Sequence, residues 1–207
     1  MVVKPFVKWV GGKKQLLNVL EDNLPVDVKS SKEIDKYFEC FVGGGALYFH
    51  LMNNYSIKKS YLYDINSELI LTYKVIQNKP KDLIGKLTVL QEDYYSQKEQ
   101  EDKKKYYLNV RKKFNETHND LLFDFSNNMT EDQVERASYI IFMNKTCFNG
   151  LFRLNQKGEF NVPHGKYKNP LICDKKNILT VSHVLKNTTI FNSDYYDAVE
   201  LKKYNIT

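Results

Sequence analysis

Apolar and polar positions follow two different periods along the 207-residue chain. From Lys13 to about Leu24 the pattern is helical, with Leu16, Leu17 and Leu20 on one face. Residues 36–42, Lys-Tyr-Phe-Glu-Cys-Phe-Val, read as a strand. Gly43, Gly44 and Gly45 interrupt the pattern, and a helical run follows from Ala46 to about Asn53. Residues 60–63 read as a second strand ending at Asp64, and Asn66 is placed to cap a helix that runs to Gln77. Strand, glycine turn, helix, strand with a terminal acid, helix is a βαβ unit, so a parallel sheet is expected. The first ten residues, with Pro5 and Trp9, read as a loop or extended arm.

Residues 80–126 are polar and helical in pattern, with charged runs such as Lys103 to Lys105, and a solvated helical insert is expected there. Thr130 and Gln133 form a capping box ahead of a helix carrying Val134, Ala137, Ile140 and Ile141. The character changes at Asn144. Phe148 to Leu154 and Glu159 to Val162 flank Asn155-Gln156-Lys157-Gly158, which predicts a β-hairpin over 148–163. A loop from Pro163 to Pro170, a short helix from Asp174 to Leu185 and a third strand from Thr188 to Asn192 complete the pattern.

Composition narrows the class. Aromatic residues make up 14% of the chain, which argues against disorder. The length suits one ordinary domain, or one with a small insertion. Apolar runs fall short of the roughly 18–20 residues that span a membrane, and the N-terminus shows no apolar signal segment. Cys40, Cys147 and Cys173 are scattered, without a Cys-x-x-Cys pair, as expected of reduced thiols in a cytoplasmic protein and not of a disulfide framework or metal site. The net charge is +6, and residues 144–186 hold all of the excess, with eight basic residues against Glu159 and Asp174. A basic segment interleaved with aromatics and Asn suits a polyanion; a solvated face with a chance imbalance gives the same count.

Glycines between a strand and a helix let the backbone approach a ligand closely and aim helix N–H groups at it. An acid at the end of the next strand can accept both ribose hydroxyls, and Asp64 lies 19 residues after Gly45. The arrangement suits an adenosine-containing cofactor. A tight loop with an acidic helix cap has the same pattern, and so does a dinucleotide-dependent oxidoreductase, although Tyr48 stands where the dinucleotide fingerprint has its third glycine.

Four stretches resemble the Dam-type, D12-class DNA adenine-N6 methyltransferases. Phe6-Val-Lys-Trp-Val-Gly-Gly-Lys-Lys-Gln-Leu-Leu17 is similar to their N-terminal cofactor motif. Phe38-Glu-Cys-Phe-Val-Gly-Gly-Gly-Ala-Leu-Tyr-Phe49 is similar to their glycine motif, and Tyr63-Asp-Ile-Asn-Ser-Glu-Leu-Ile70 to their acidic-strand motif. Phe148-Asn-Gly-Leu-Phe-Arg-Leu-Asn, with Gly158-Glu-Phe-Asn-Val-Pro-His-Gly-Lys-Tyr167, resembles their target-recognition hairpin.

The resemblance implies a partial Rossmann-like α/β sheet that binds S-adenosylmethionine and carries a helical and β-hairpin target-recognition insert. Residues 1–79 and 187–207 would form the cofactor-binding part and residues 80–186 the recognition part. Trp9 and Lys13 would line the cofactor pocket, with Lys13 suited to the methionine carboxylate; otherwise a lone Trp is a core residue and a helix Lys is solvated. Glu39, Phe41 and Gly43 to Gly45 would form the floor, Asp64 would hold the ribose, and Asp194 would face the adenine edge beside Tyr195. On double-stranded DNA, Asn149, Leu151, Arg153, Pro163 and Tyr167 would stand at base-reading positions. Arg153 could give two parallel N–H bonds to guanine; its alternative is a surface ion pair with Glu159. Leu151 could meet a thymine methyl, while Lys145, Lys157, Lys166 and Lys168 suit phosphates. Many relatives with this hairpin read GATC, which makes that the expected target.

The family's catalytic motif, Asp-Pro-Pro-Tyr at the end of a fourth strand, has no counterpart among the five prolines, none of which are adjacent. The chain ends at Thr207, about where that strand would begin. No catalytic residue is therefore expected here, and the chain alone is expected to be inactive. The reading is a fragment of a DNA adenine-N6 methyltransferase that lacks the catalytic strand; the alternatives are a catalytically dead DNA-binding remnant or one half of a split enzyme. Without the fourth strand, the glycine strand would be an exposed edge carrying Phe38 and Val42, and would pair with a second copy or a complementing chain.

Overall fold

The computed structural model describes residues 2–117, 123–125 and 128–197. Three parallel strands form the sheet in the order β1 (Glu33–Glu39), β2 (Ser56–Asp64), β3 (Thr188–Asn192). The helices are α1 (Leu17–Asp22), α2 (Val26–Ser31), α3 (Ala46–Asn54) and α4 (Ser67–Asn78), then α5 (Pro80–Ser96), α6 (Gln100–Glu116), α7 (Glu131–Thr146) and α8 (Lys175–Val184). The chain is therefore mixed α/β with a partial Rossmann-like sheet.

Strand β2 lies in the middle, and its second half, Ser60 to Tyr63, is buried. Its two faces are packed differently. Leu62 points into the main core, while Tyr61 and Tyr63 stack on Phe38 and Phe191 across the other face, each ring pair 4.6 Å apart. Helix α4 starts where the sequence places it, with the Asn66 side chain accepting from Leu69 N–H. The capping box at Thr130 and Gln133 is present in both directions. Helix α7 is buried almost all round and packs on α4, α5 and α6, as expected of a central helix.

Several expectations need correction. The first strand ends at Glu39, so Cys40 to Val42 belong to the glycine loop. Val42 is not on an exposed edge: it is buried, and its N–H donates to Tyr63 O at 3.0 Å. Strand β2 begins four residues early, in a polar stretch that no alternation of apolar residues marks. Residues 13–24 form only a 3-10 turn, Lys13–Leu16, and the short α1; Leu16 faces solvent, and Leu17 and Leu20 are half-buried. So short a segment is positioned by its contacts and not by its own periodicity.

Residues 80–116 are not a solvated insert. Helix α5 buries Leu83, Leu87, Leu90 and Tyr94, and α6 buries Tyr107, Val110 and Phe114, all in the core that also holds α7. Each such side chain contributes about 1.5–3 kcal/mol, which outweighs the polar face. Even Lys103 is buried, donating to Lys168 O at 3.0 Å. The hairpin is less regular than expected. Phe148–Gly150 is a 3-10 turn with Asn149 at φ 55°, and in place of a continuous ladder the two arms meet at two isolated antiparallel bridges, Cys147 with His164 and Leu154 with Phe160.

Arg136 on α7 meets Glu68 at the start of α4, both more than nine-tenths buried, with Nε 3.0 and 3.1 Å from the two carboxylate oxygens. The same guanidinium donates to Phe114 O at 2.8 Å and lies 4.0 Å from the Phe114 ring. Removing one partner of such a pair strands the other's charge. Arg136→Met is expected to lower the free energy of urea unfolding by about 3–5 kcal/mol, and Arg136→Met with Glu68→Leu to recover at least half of that loss.

Candidate cofactor cleft and recognition loop

The extended arm is held by side-chain amides that act like strand partners. Asn53 on α3 bonds both the N–H and the carbonyl of Val3, each at 2.9 Å. Asn177 on α8 does the same for Lys4, and Asn144 on α7 for Lys8. These asparagines carry no signature in the sequence beyond being polar residues in helices with buried faces.

So held, the arm brings Trp9 against the glycine loop. A Cβ at Gly43 would lie 3.0 Å from the indole, and one at Gly44 would lie 3.2 Å from the Trp9 Cβ, so a side chain at either position would crowd Trp9. Gly43 also takes φ 51°. The result is a cleft of about 190 Å³ at the carboxyl end of β1 and β2, walled by Trp9, Gly12, Lys13, Phe41, Gly43 and Asp64. Open parallel sheets bind ligands at this end.

Asp64 closes β2. One carboxylate oxygen accepts from Gly43 N–H and the other from Asn66 N–H, both at 2.9 Å. Each oxygen keeps a second lone pair, enough for a pair of neighbouring hydroxyls. Lys13 donates to Glu39 at 2.7 Å and to Phe41 O at 2.8 Å. Two of its three donors are thus engaged, and an anion in the cleft would share the ammonium with Glu39. Burial pushes the Glu39 carboxyl above its ordinary range, against the pull of Lys13.

Not every expected residue meets the cleft. Glu39 lies behind Lys13 and also accepts from the Tyr37 hydroxyl at 2.8 Å. Gly45 is buried against Tyr73 and Phe49, where a Cβ would come within 2.5 and 2.6 Å, so it starts α3 and does not line the floor. Tyr195 reaches the rim, its ring 5.8 Å from that of Phe41. Asp194 lies outside the cleft walls, its carboxylate accepting from Tyr196 N–H.

The recognition segment stands against the same arm. Asn149 and Arg153 are exposed, and Leu151 is half-buried. Arg153 pairs with Asn161, Nε to Oδ1 at 2.8 Å, and not with Glu159, which is held by Asn155. Pro163 and Lys166 are exposed, Lys166 at φ 55°, and Tyr167 lies under the Lys8 ammonium, 5.3 Å from its ring centre. Lys157 and Lys168 are also exposed. Lys145 departs from the phosphate-facing set: it is half-buried, and burial pushes its ammonium below its ordinary value. The thiol of Cys147 is pushed up to about 11 by burial, so it stays protonated and inert.

A parallel sheet with a glycine turn after its first strand and an acid closing its second is the arrangement with which open α/β sheets take nucleotide-type ligands. Comparison with known proteins adds the family. The profile of the D12 class N6 adenine-specific DNA methyltransferases matches residues 9–206. The chain is 47% identical over 195 residues to the type II methyltransferase M.MjaIII of Methanocaldococcus jannaschii, covering 94% of this chain and 63% of the relative. It is 38% identical over 200 residues to M1.LlaDCHI of Lactococcus lactis subsp. cremoris, covering 96% and 61%. With the DNA adenine methylase of Serratia marcescens it shares 29% over 196 residues, covering 95% and 61%. The chain belongs to the D12 class of N6 adenine-specific DNA methyltransferases, and it spans about three-fifths of the length of these relatives. Among the described residues, no helix is long and apolar enough to cross a membrane, and no cluster of His, Cys, Asp or Glu could hold a metal ion.

His164 is buried under the recognition loop, with Nε2 2.8 Å from the Tyr94 hydroxyl. Burial, and then Lys103, Lys104 and Lys166, hold its imidazole below the ordinary value of 6.5, while Glu101 acts weakly the other way. Below 6.5 the unfolded chain takes up this proton before the folded chain does, so stability is complete above that pH and falls as pH drops toward the folded value. The urea midpoint is expected to fall between about pH 7.5 and about pH 5.5, and His164→Gln to make that fall smaller.

Proposed function

We propose that this chain is the S-adenosylmethionine-binding and target-recognition portion of a DNA adenine-N6 methyltransferase. Residues 1–79 and 187–207 would be the cofactor part, and 80–186 the recognition part. The observation that carries the reading is Asp64 bonded to the N–H of Gly43 beside Trp9, whose ring also stacks on Phe152 of the recognition loop at 5.4 Å. One aromatic residue thus borders both sites.

In this reading the ribose hydroxyls bond Asp64, the methionine end lies between Trp9 and the glycine loop, and Lys13 balances the methionine carboxylate. Phe41 and Tyr195 offer apolar surface to the adenine, with Asp194 near its edge. Arg153 reads guanine from the major groove, with GATC as the expected target. Asn149, Leu151, Pro163 and Tyr167 complete base readout. Lys157, Lys166 and Lys168 meet phosphates, which set register and salt dependence. Methylation of an extruded adenine also needs acceptors for the exocyclic amine and a ring to stack the base. Residues 1–207 contain no Asp-Pro-Pro-Tyr motif to supply them, so this chain alone transfers no methyl group. Among the described strands β1 has an open edge, which would seat a second copy or a complementing chain.

Calorimetry is expected to give a binding isotherm for S-adenosylmethionine, weakened about tenfold or more by Asp64→Ala, in line with the roughly 1.5–3 kcal/mol of a charged hydrogen bond. No heat from the folded protein would end the cofactor claim. In gel shifts, Arg153→Ala should cost about 1–3 kcal/mol of preference for the target over other duplexes, whereas Lys166→Ala should weaken both alike. Incorporation of labelled methyl into DNA by the chain alone would refute the claim of inactivity. A monomer in light scattering across a wide concentration range would rule out self-pairing through β1.

A further inference from the structure

Asn144 differs from the other two asparagines that grip the arm. Its side chain is 5% exposed and makes three hydrogen bonds. Oδ1 accepts from Lys8 N–H at 2.8 Å, and Nδ2 donates to Lys8 O at 2.8 Å and to Gly150 O at 2.9 Å. One amide therefore bonds the cofactor arm on one side and the recognition loop on the other. Gly150 is pressed against the same residue of the arm: at φ +65° its missing Cβ would fall 2.7 Å from the Lys8 side chain. Next to this junction, Trp9 stacks on Phe152 with the planes 26° apart, and Lys8 covers Tyr167.

Arm and loop thus meet through a bidentate backbone clasp, a stacked ring pair and a cation over an aromatic ring. Trp9 is also the wall against which Gly43 and Gly44 are packed. Anything that shifts the indole in the cleft must move Phe152 or strain the clasp, and anything that reorders residues 149–153 acts back on Trp9. We propose that Asn144 is a positioning residue that registers the DNA-reading loop against the cofactor arm, so that S-adenosylmethionine binding and DNA binding strengthen one another. Each ligand would order the same junction, leaving less for the other to order, and the effect is reciprocal by linkage. The inference rests on the proposed function.

Trp9 is the only tryptophan, which supplies a direct optical probe. In the ligand-free chain, Asn144→Ala and Phe152→Leu should each shift Trp9 emission and raise its quenching by acrylamide. In calorimetry, a saturating target duplex should tighten S-adenosylmethionine binding by about fivefold or more, within the usual range of coupling. Asn144→Ala should bring that ratio close to one while each ligand still binds singly. A purely structural Asn144 would lower stability and leave the ratio where it was. Phe152→Leu leaves no polar group unpaired, and carries both readouts if Asn144→Ala does not fold. A ratio of one in the unaltered chain, or a ratio and Trp9 emission indifferent to both substitutions, overturns the inference while the proposed function stands. If the unaltered chain binds neither ligand, the proposed function fails, and Trp9 emission and quenching still decide whether Asn144 holds arm to loop.

Discussion

A buried ion pair between Glu68 and Arg136 is the constraint on which the arrangement rests. Glu68 opens the helix that follows the acidic strand, and Arg136 belongs to the helix that leads into the recognition loop. A carboxylate and a guanidinium removed from water are costly unless they satisfy each other. Here the Arg136 side chain bridges both carboxylate oxygens, and its remaining nitrogen reaches the carbonyl of Phe114. That network fixes α4, α6 and α7 relative to one another. It holds the N-terminal part of α7 against the start of α4, the helix that follows the strand bearing Asp64, and so orients the other end, where Asn144 and residues 148–163 lie.

The cleft and the loop are consequences of that placement. Asn144 sits near the C-terminal end of α7 and takes hold of Lys8, so Trp9 comes to rest where Gly43 and Gly44 have no side chains. Asp64 ties the glycine loop back to β2, and Phe152 closes the other side of the indole. The main hydrophobic core runs from Val3 and Phe6 through α4 and α7 to Ile190 on β3. Residues of the arm, of α4 and of the segment 147–162 share that core, so a shift in one is felt by the others.

Much of this was legible in the sequence for local reasons. The βαβ unit, the Asn66 cap, the capping box at Thr130 and the strand Thr188–Asn192 all follow from side-chain periodicity and end-capping, which act over a few residues. The family could be recognised because its motifs keep residue types that the backbone geometry demands, such as glycine at Gly43 and an acid at Asp64. What was illegible depends on distant partners. Arg136 and Glu68 are 68 residues apart, and Asn144 and Lys8 are 136 apart. Strand β1 ends at Glu39 because its register with β2 stops there, while Val42 turns inward to bond Tyr63. The helices at 80–116 looked solvated because their polar faces dominate the count, yet leucines at positions 83, 87 and 90 line one buried stripe. Glu39 and Gly45, placed on the cleft floor by resemblance, instead support it from behind, which motif matching alone cannot distinguish.

The central claim is that the glycine loop, Trp9 and Asp64 form the seat of the methyl donor. Amide chemical shifts of the isotopically labelled chain, titrated with S-adenosylmethionine, test it most directly. The account predicts that the largest changes fall on Gly11, Gly12, Gly43, Gly44 and Asn66, with the indole N–H of Trp9 among them. Changes confined to surfaces away from the carboxyl ends of β1 and β2, or none at saturating donor, would contradict it.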